Sequence, residues 1–148
     1  YSRTKIINRV YFMYKLINFK ELVLKNTRNQ YLVLPKNFIS KSKPNLISPV
    51  FKCNVNDLQG VFIEFINSQN RIRNIVLDKK NYKFSCIQST RVFRFPDIID
   101  FEFLSINIDY SSVAIYSRSR YGYYDFNVNK KRVMLWLDEI SRNISIDE

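Results

Sequence analysis

The stretch Ser117-Arg118-Ser119-Arg120-Tyr121-Gly122-Tyr123-Tyr124-Asp125-Phe126-Asn127-Val128-Asn129-Lys130-Lys131-Arg132 joins a strand-like run to the last helical pattern of the chain. Before it, Val113, Ile115 and Ser117 occupy alternate positions, a period that predicts a strand. After it, apolar residues recur at the spacing of one helical face: Val133, Trp136, Leu137, Ile140 and Ile144. The sequence therefore predicts a strand, a turn and a helix, with Asn127 or Asn129 as the helix cap.

Cations gather where this helix begins, at Lys130, Lys131 and Arg132. Positive charge at a helix N-terminus opposes the helix dipole, so this placement requires a reason. An anion site is one reason, because exposed N–H groups and converging cations suit a phosphate or a carboxylate. The candidate residues for an anion site or a structural corner are Arg118, Arg120, Gly122, Asp125, Asn129, Lys130 and Arg132.

Aspartates near this stretch support the second interpretation, in which its arginines are neutralised inside the protein. The pairs would join Arg120 and Arg132 to Asp97, Asp100 and Asp125. Such pairing would hold the strand-to-helix turn in place, and both interpretations stay open at this point.

The middle of the chain combines one helical pattern with several alternating ones. Asn54 is placed to cap the helix, Asp57 lies in its first turn, and Gly60 would allow a close approach by a strand. A short aliphatic strand-like run follows at residues 72–77, and period-two alternation from residue 82 to residue 117 indicates strands with one buried and one solvated face. Asp100 and Glu102 share such a face, which we interpret as solvated rather than as a cation site.

These patterns predict an α+β fold. The expected architecture is an antiparallel sheet of about four to five strands with helices packed on one face, plus a basic N-terminal extension.

Residue usage excludes several kinds of chemistry. Histidine is absent, which removes Ser-His-Asp and Cys-His nucleophilic schemes and the usual zinc and haem sites. Cys53 and Cys86 match no metal or redox spacing and are expected to be buried thiols. We predict no catalytic residue, no metal and no cofactor, and therefore no enzyme.

Charge divides the chain into two parts. Residues 1–50 carry ten basic residues against one acidic residue, a net charge of +9, whereas residues 51–148 carry fourteen against twelve, a net of +2. We predict a basic arm over residues 1–42 and an α+β domain over residues 43–148, with the arm facing an acidic partner. The candidate contacts of the arm are Arg3, Lys5, Arg9, Lys15, Lys20, Lys25, Arg28, Lys36, Lys41 and Lys43.

The front of the chain does not have the pattern of a membrane-spanning helix. Polar and charged residues interrupt its most apolar window, Ile6 to Leu24. Ile6, Val10, Met13 and Ile17 fall at helical spacing, and we interpret this stripe as packing on a protein surface. The sequence begins with Tyr1 rather than Met, which indicates a removed presequence or a fragment.

Three segments resemble a known family: the opening stretch, the run Phe93 to Phe101, and the run Lys43-Pro44-Asn45-Leu46-Ile47-Ser48. They are similar to motifs of the domain-of-unknown-function 1499 family, over residues 43–142. Leu46 stands where the family usually has cysteine, Ile98 replaces the second of two aspartates, and Asn127 stands where the family has glycine. Asn tolerates the left-handed backbone region better than other non-glycine residues, so this last difference is physically small.

The resemblance implies no activity, because the family has none established, and its members occur in bacteria and plastids. We expect a non-enzymatic accessory subunit that docks through its arm onto a large organellar assembly, a plastid thylakoid photosystem complex being favoured. The alternatives are an RNA-binding subunit of an organellar ribosome, including a mitochondrial one, and a small-anion-binding domain or enzyme. The expected partners are protein subunits, with an anionic membrane surface or RNA as further partners of the arm.

Overall fold

Alternating and helical patterns both become regular elements in a computed structural model of the chain, which describes residues 16–120 and 127–147. The strands are β1 (Gln30–Leu34), β2 (Leu46–Ile47), β3 (Val50–Phe51), β4 (Ile72–Asp78), β5 (Lys83–Ser89), β6 (Pro96–Ser105), β7 (Ser111–Ser119) and β8 (Ile146–Asp147). The helices are α1 (Val55–Asn67) and α2 (Val128–Asn143).

The α+β class is confirmed, but the predicted sheet is corrected in size and direction. The described strands form one eight-stranded sheet with the order β2-β1-β7-β6-β5-β4, and β3 joins it by pairing with β7 and β8. The sheet is mixed because β1 runs parallel to β2, whereas its pairing with β7 is antiparallel. Strands β2, β3 and β8 are two residues long, too short for alternation to reveal.

Helix α1 begins as the sequence predicts. The side-chain oxygen of Asn54 accepts the backbone N–H of Asp57 at 2.9 Å, and its amide donates to the Asp57 carboxylate at 3.0 Å. This reciprocal arrangement satisfies an otherwise orphan N–H and places a negative charge in the first turn. The predicted helix also buries one face, because Leu58, Phe62 and Ile66 are almost wholly buried.

The expected role of Gly60 is wrong. A Cβ atom built on this residue meets nothing within 4 Å among the described residues, so the glycine permits no close approach by a strand. We expect Gly60→Ala to raise the free energy of unfolding by about 0.5–1 kcal/mol, because alanine loses less backbone entropy in a helix. Chemical denaturation would check this, and a loss of stability would contradict the open surroundings that the structure gives this residue.

Aromatic residues fill the core between the sheet and the two helices. The Phe62 ring meets Phe51, Phe101 and Phe103 at centroid distances of 6.0, 6.0 and 5.3 Å, all in edge-to-face geometry. Trp136 of α2 lies 6.3 Å from Phe101. Both helices therefore bury their apolar stripes against the same sheet face.

The other sheet face is covered by the N-terminal segment rather than by a helix. Phe19 is 1% exposed and packs with Leu32 and Leu34 of β1 and with Ala114 and Tyr116 of β7. The Ser40 hydroxyl donates to the Phe19 carbonyl and the Ser42 hydroxyl donates to the Leu22 carbonyl, and these hydrogen bonds fix the segment in place. The sheet thus begins before residue 43, so the start of the sheet does not coincide with the predicted boundary between arm and domain.

The two cysteines are free thiols in different surroundings. Cys86 is fully buried, and this burial raises the pKa of its thiol strongly. Cys53 is only partly buried and lies 3.7 Å from the Ser111 hydroxyl. The expectation of a buried thiol is therefore confirmed for Cys86 and holds only in part for Cys53.

None of the helices in the described part of the chain is long and apolar enough to cross a membrane.

Candidate functional site

A row of polar residues crosses the helix-facing side of the sheet at one end. The strand register places Gln88 of β5 opposite Asp97 of β6, and Asp97 opposite Ser119 of β7. One step inward, Ser117 lies opposite Ile99, where the apolar core begins. Because residues two apart share a strand face, Asp97 faces the same side as the core residues Ile99 and Phe101.

Arg132 of α2 covers this polar row and is 7% exposed. Its guanidinium donates to Asp97 Oδ2 at 2.7 Å, to Gln88 Oε1 at 2.5 Å, and to Ser117 Oγ at 3.0 Å. A fourth hydrogen bond, at 2.9 Å, reaches the side-chain oxygen of Asn129 one turn earlier in the helix. Four of the five guanidinium N–H donors are thus engaged inside the protein.

Asn129 ties the same helix to strand β7 and to the residue just before β1. Its side-chain oxygen accepts the Ser117 hydroxyl at 2.6 Å, and its amide donates to the Asn29 carbonyl at 3.0 Å and to Ser119 Oγ at 3.4 Å. Asn129 lies inside α2 and is fully buried. It is therefore not the helix cap, although the sequence suggested it as one of two candidates. We name the group Asn29, Gln88, Asp97, Ser117, Asn129 and Arg132 the polar corner.

Asn127, the other residue that the sequence suggested as the cap, occupies the N-cap position of α2. Its φ of 62° and ψ of 24° lie in the left-handed region, which confirms the backbone argument made for the asparagine that replaces the family's glycine.

Among the described residues, Asp97 is bound through one of its two carboxylate oxygens. Oδ2 accepts from Arg132, while the buried Oδ1 accepts no hydrogen bond within the described ranges, 16–120 and 127–147. The ion pair between Arg132 and Asp97 therefore has one hydrogen bond. Neutral side-chain oxygens accept the other three hydrogen bonds that the Arg132 guanidinium donates. A buried arginine and aspartate depend on each other, because either one alone would be an uncompensated charge.

Arg118 belongs to a separate cluster on the opposite face of the sheet. Its guanidinium lies 2.5 Å from Asp100 Oδ2 and 4.7 Å from the centre of the Tyr116 ring. Asp100 is 3% exposed, so the expectation of a solvated face is wrong at this residue. The N-terminal segment covers this face, because Ile17 and Phe19 pack with Tyr116, which pairs with Asp100 across the two strands.

The electrostatics of Asp100 follow from this cover. Burial raises the pKa of the Asp100 carboxyl above its ordinary value, while the Arg118 guanidinium and a hydrogen bond from Ser85 lower it in part. Glu102 lies next to it on the same face, 3.8 Å from Lys83. Asp100 therefore has Arg118 beside it, and Glu102 has Lys83 beside it.

The structure describes two of the other predicted corner residues, Arg120 and Lys130. Arg120 directly follows β7 and has an exposed side chain, and its backbone N–H donates to the Pro96 carbonyl at 3.1 Å. Lys130 is exposed on α2. Gly122 and Asp125 lie outside the described residues, so the proposed role of Asp125 as an anchor stays a prediction.

The predicted arm contacts fall into two sets. Arg3, Lys5, Arg9 and Lys15 lie outside the described residues, as does most of the predicted stripe from Ile6 to Met13. The members that the structure describes are all exposed: Lys20, Lys25, Arg28, Lys36, Lys41 and Lys43. Lys41 lies 2.5 Å from Glu21 at the surface.

One hollow brings the arm and the corner together. Arg28 of the N-terminal segment and Lys130 of α2 line the same depression of about 490 Å³, together with Asn45 and Asn127. No aspartate or glutamate is among the described residues of its lining. Two cations that are far apart in sequence therefore line one hollow, which we name the arm hollow.

Gln88 and Ser117 are the contacts that sequence reasoning missed. Both lie in the helix-facing register of their strands, where the preceding residues on the same face, such as Cys86 and Ile115, are apolar. A polar residue in an apolar register could have marked them, because buried polar groups require partners.

Metal ligation finds no support in the part of the chain that the structure describes. No three His, Cys, Asp or Glu side chains come together there to hold an ion. The two buried aspartates instead have arginine partners.

Comparison with known proteins gives one family match. The model of a family described as "Protein of unknown function (DUF1499)" matches residues 29–140, which confirms the resemblance drawn from the sequence motifs. No curated protein matches the chain.

Proposed function

The chain belongs to the DUF1499 family, and from this premise we propose that it is a non-enzymatic docking subunit that contacts an acidic partner through the basic surface of its N-terminal segment. The assembly that we propose is a large organellar one, and a plastid photosynthetic membrane complex is the first to test. The plastid occurrence of resembling family members and the charge of the N-terminal third support this choice.

The arm hollow is the observation that carries the proposal. Its two cations, Arg28 and Lys130, have no described acidic residue beside them in the lining. By contrast, the arginine of the polar corner and the arginine of β7 are each paired with an aspartate inside the protein. A surface with one sign of charge attracts a partner of the opposite sign and raises its rate of association. The polar corner therefore supports the fold, and the exposed cations of the arm hollow face the partner.

The test is a charge reversal in the full chain. We expect the double variant Arg28→Glu/Lys130→Glu to lower cofractionation with the native assembly by about tenfold or more, because like charges across an interface repel. Arg142→Glu is the matched control, since Arg142 is exposed on the last turn of the same helix and pairs with Asp138 at 3.0 Å.

Several outcomes would contradict the proposal. Unchanged cofractionation of the double variant would overturn the role of the arm hollow. Cofractionation that nuclease abolishes would identify organellar ribosomal RNA as the partner instead, with a steep dependence on salt. An isolated monomer that cofractionates with no assembly would overturn the docking role as a whole.

A further inference from the structure

The turn between β5 and β6 exposes apolar side chains at its tip. Val92 is 77% exposed, Phe93 67% and Phe95 49%, and the two rings stack at 5.5 Å with an angle of 15° between their planes. Arg91 and Arg94 are interspersed among them and are also exposed. We name residues 90–95 the apolar turn.

The backbone of the apolar turn satisfies much of its own hydrogen bonding. Thr90 N–H donates to the Phe95 carbonyl at 2.8 Å, and Arg94 N–H donates to the Thr90 carbonyl at 3.1 Å. Phe95 N–H donates to the Thr90 hydroxyl at 2.9 Å. The tip can therefore leave water without stranding these N–H groups, which is the main cost of placing backbone in an apolar phase.

A second basic hollow lies beside the turn, with a volume of about 350 Å³. Arg71, Arg91 and Lys131 line it together with the apolar side chains of Leu135 and Trp136. Arg71 is held in place by its Nε–H, which donates to the Ser89 carbonyl at 2.9 Å. The residues that the structure describes around this hollow include no aspartate or glutamate.

We propose that the apolar turn and this second hollow bind an anionic membrane surface. Val92, Phe93 and Phe95 enter the boundary between headgroups and acyl chains, where apolar side chains gain from leaving water. Arg91, Arg94 and Lys131 then lie at the level of the lipid phosphates, which guanidinium and ammonium groups bind well.

A lipid surface fits these observations better than RNA does. A base-stacking platform requires accessible aromatic faces, but Phe93 and Phe95 already cover one face of each other. Val92, the most exposed apolar residue of the turn, offers no ring. The inference does not rest on the proposed docking function, because the arm hollow and the apolar turn share no residue.

The test is flotation of the full chain with vesicles of phosphatidylcholine alone or mixed with phosphatidylglycerol. We expect binding to the mixed vesicles, and a loss of about tenfold or more in the variant Phe93→Ser/Phe95→Ser, because each ring contributes apolar area. Arg91→Ser/Arg94→Ser should weaken binding to mixed vesicles by about tenfold or more, since each cation near an anionic surface adds to affinity.

Ile108→Ser is the matched control. Ile108 is 82% exposed in the turn at the opposite end of β6, next to Asp109 rather than to arginines, so this variant should bind vesicles normally. Equal binding by the Phe93→Ser/Phe95→Ser variant would overturn the proposal and assign binding to other cations. Failure to bind mixed vesicles, or binding to RNA that the same substitutions abolish, would overturn it as well.

Discussion

Arg132→Met should lower the free energy of unfolding by about 3–5 kcal/mol, the typical cost of removing one partner of a buried ion pair. The substitution leaves Asp97, which is fully buried, with a carboxylate that no other described side chain is placed to neutralise. It also removes the donors bound by Gln88 and Ser117. Urea denaturation at neutral pH measures the effect.

Arg142→Met is the control for Arg132→Met, because the two arginines lie on the same helix. The Arg142 side chain is 73% exposed and its pair with Asp138 is solvated, so its loss should cost about 0–1 kcal/mol. A double variant, Arg132→Met/Asp97→Leu, should recover much of the lost stability, since apolar groups can replace a buried pair. Equal stability of Arg132→Met and the wild type would refute the structural role of the polar corner.

Arg118→Met should cost about 3 kcal/mol at neutral pH, and the cost should shrink in acid. Arg118 lowers the pKa of the Asp100 carboxyl against the effect of burial, so its removal raises that pKa further. The folded chain then keeps a proton that the unfolded chain releases near the usual value of 3.8. The free energy of unfolding of the variant therefore falls as pH rises above that value, because its folded state binds more protons there than its unfolded state does.

Lys41→Met is a closely matched control for Arg118→Met. The Lys41–Glu21 pair is also 2.5 Å long, but both side chains are 61% exposed, so its loss should cost about 0–1 kcal/mol at any pH. Thermal unfolding of the three proteins between pH 3 and pH 7 measures the difference, which is best resolved on either side of 3.8. A cost for Arg118→Met that does not depend on pH would contradict the burial of Asp100.

Local patterns in the sequence predicted the elements that depend on local physics. Asn54 caps α1 through its own side chain, and Asn127 adopts the left-handed conformation that replacing a glycine requires. Both outcomes depend on residues within one turn of each other. Sequence reasoning can reach them because the determining contacts are near in the chain.

The errors concern contacts between distant segments. Asp100 alternates with apolar residues as a solvated strand residue would, but the N-terminal segment covers it. The parallel pairing of β1 with β2 depends on the path of the residues between the two strands. The periodicity of the sequence does not indicate this path. The partners of Arg132 come from three different strands and its own helix, so their convergence could be seen only in the folded chain.

The position of β1 has a consequence for synthesis on the ribosome. Gln30 pairs with Arg118 in the antiparallel β1–β7 ladder, so the N-terminal strand cannot complete its pairing until most of the chain has been made. At about 5–20 residues per second, that delay is on the order of 4–18 s. During this interval we expect Leu32 and Leu34 to be without the sheet that finally buries them, and to be a target for chaperones. Protease protection of ribosome-bound chains around Phe19 should therefore appear only after β7 has emerged, and earlier protection would contradict this order of assembly.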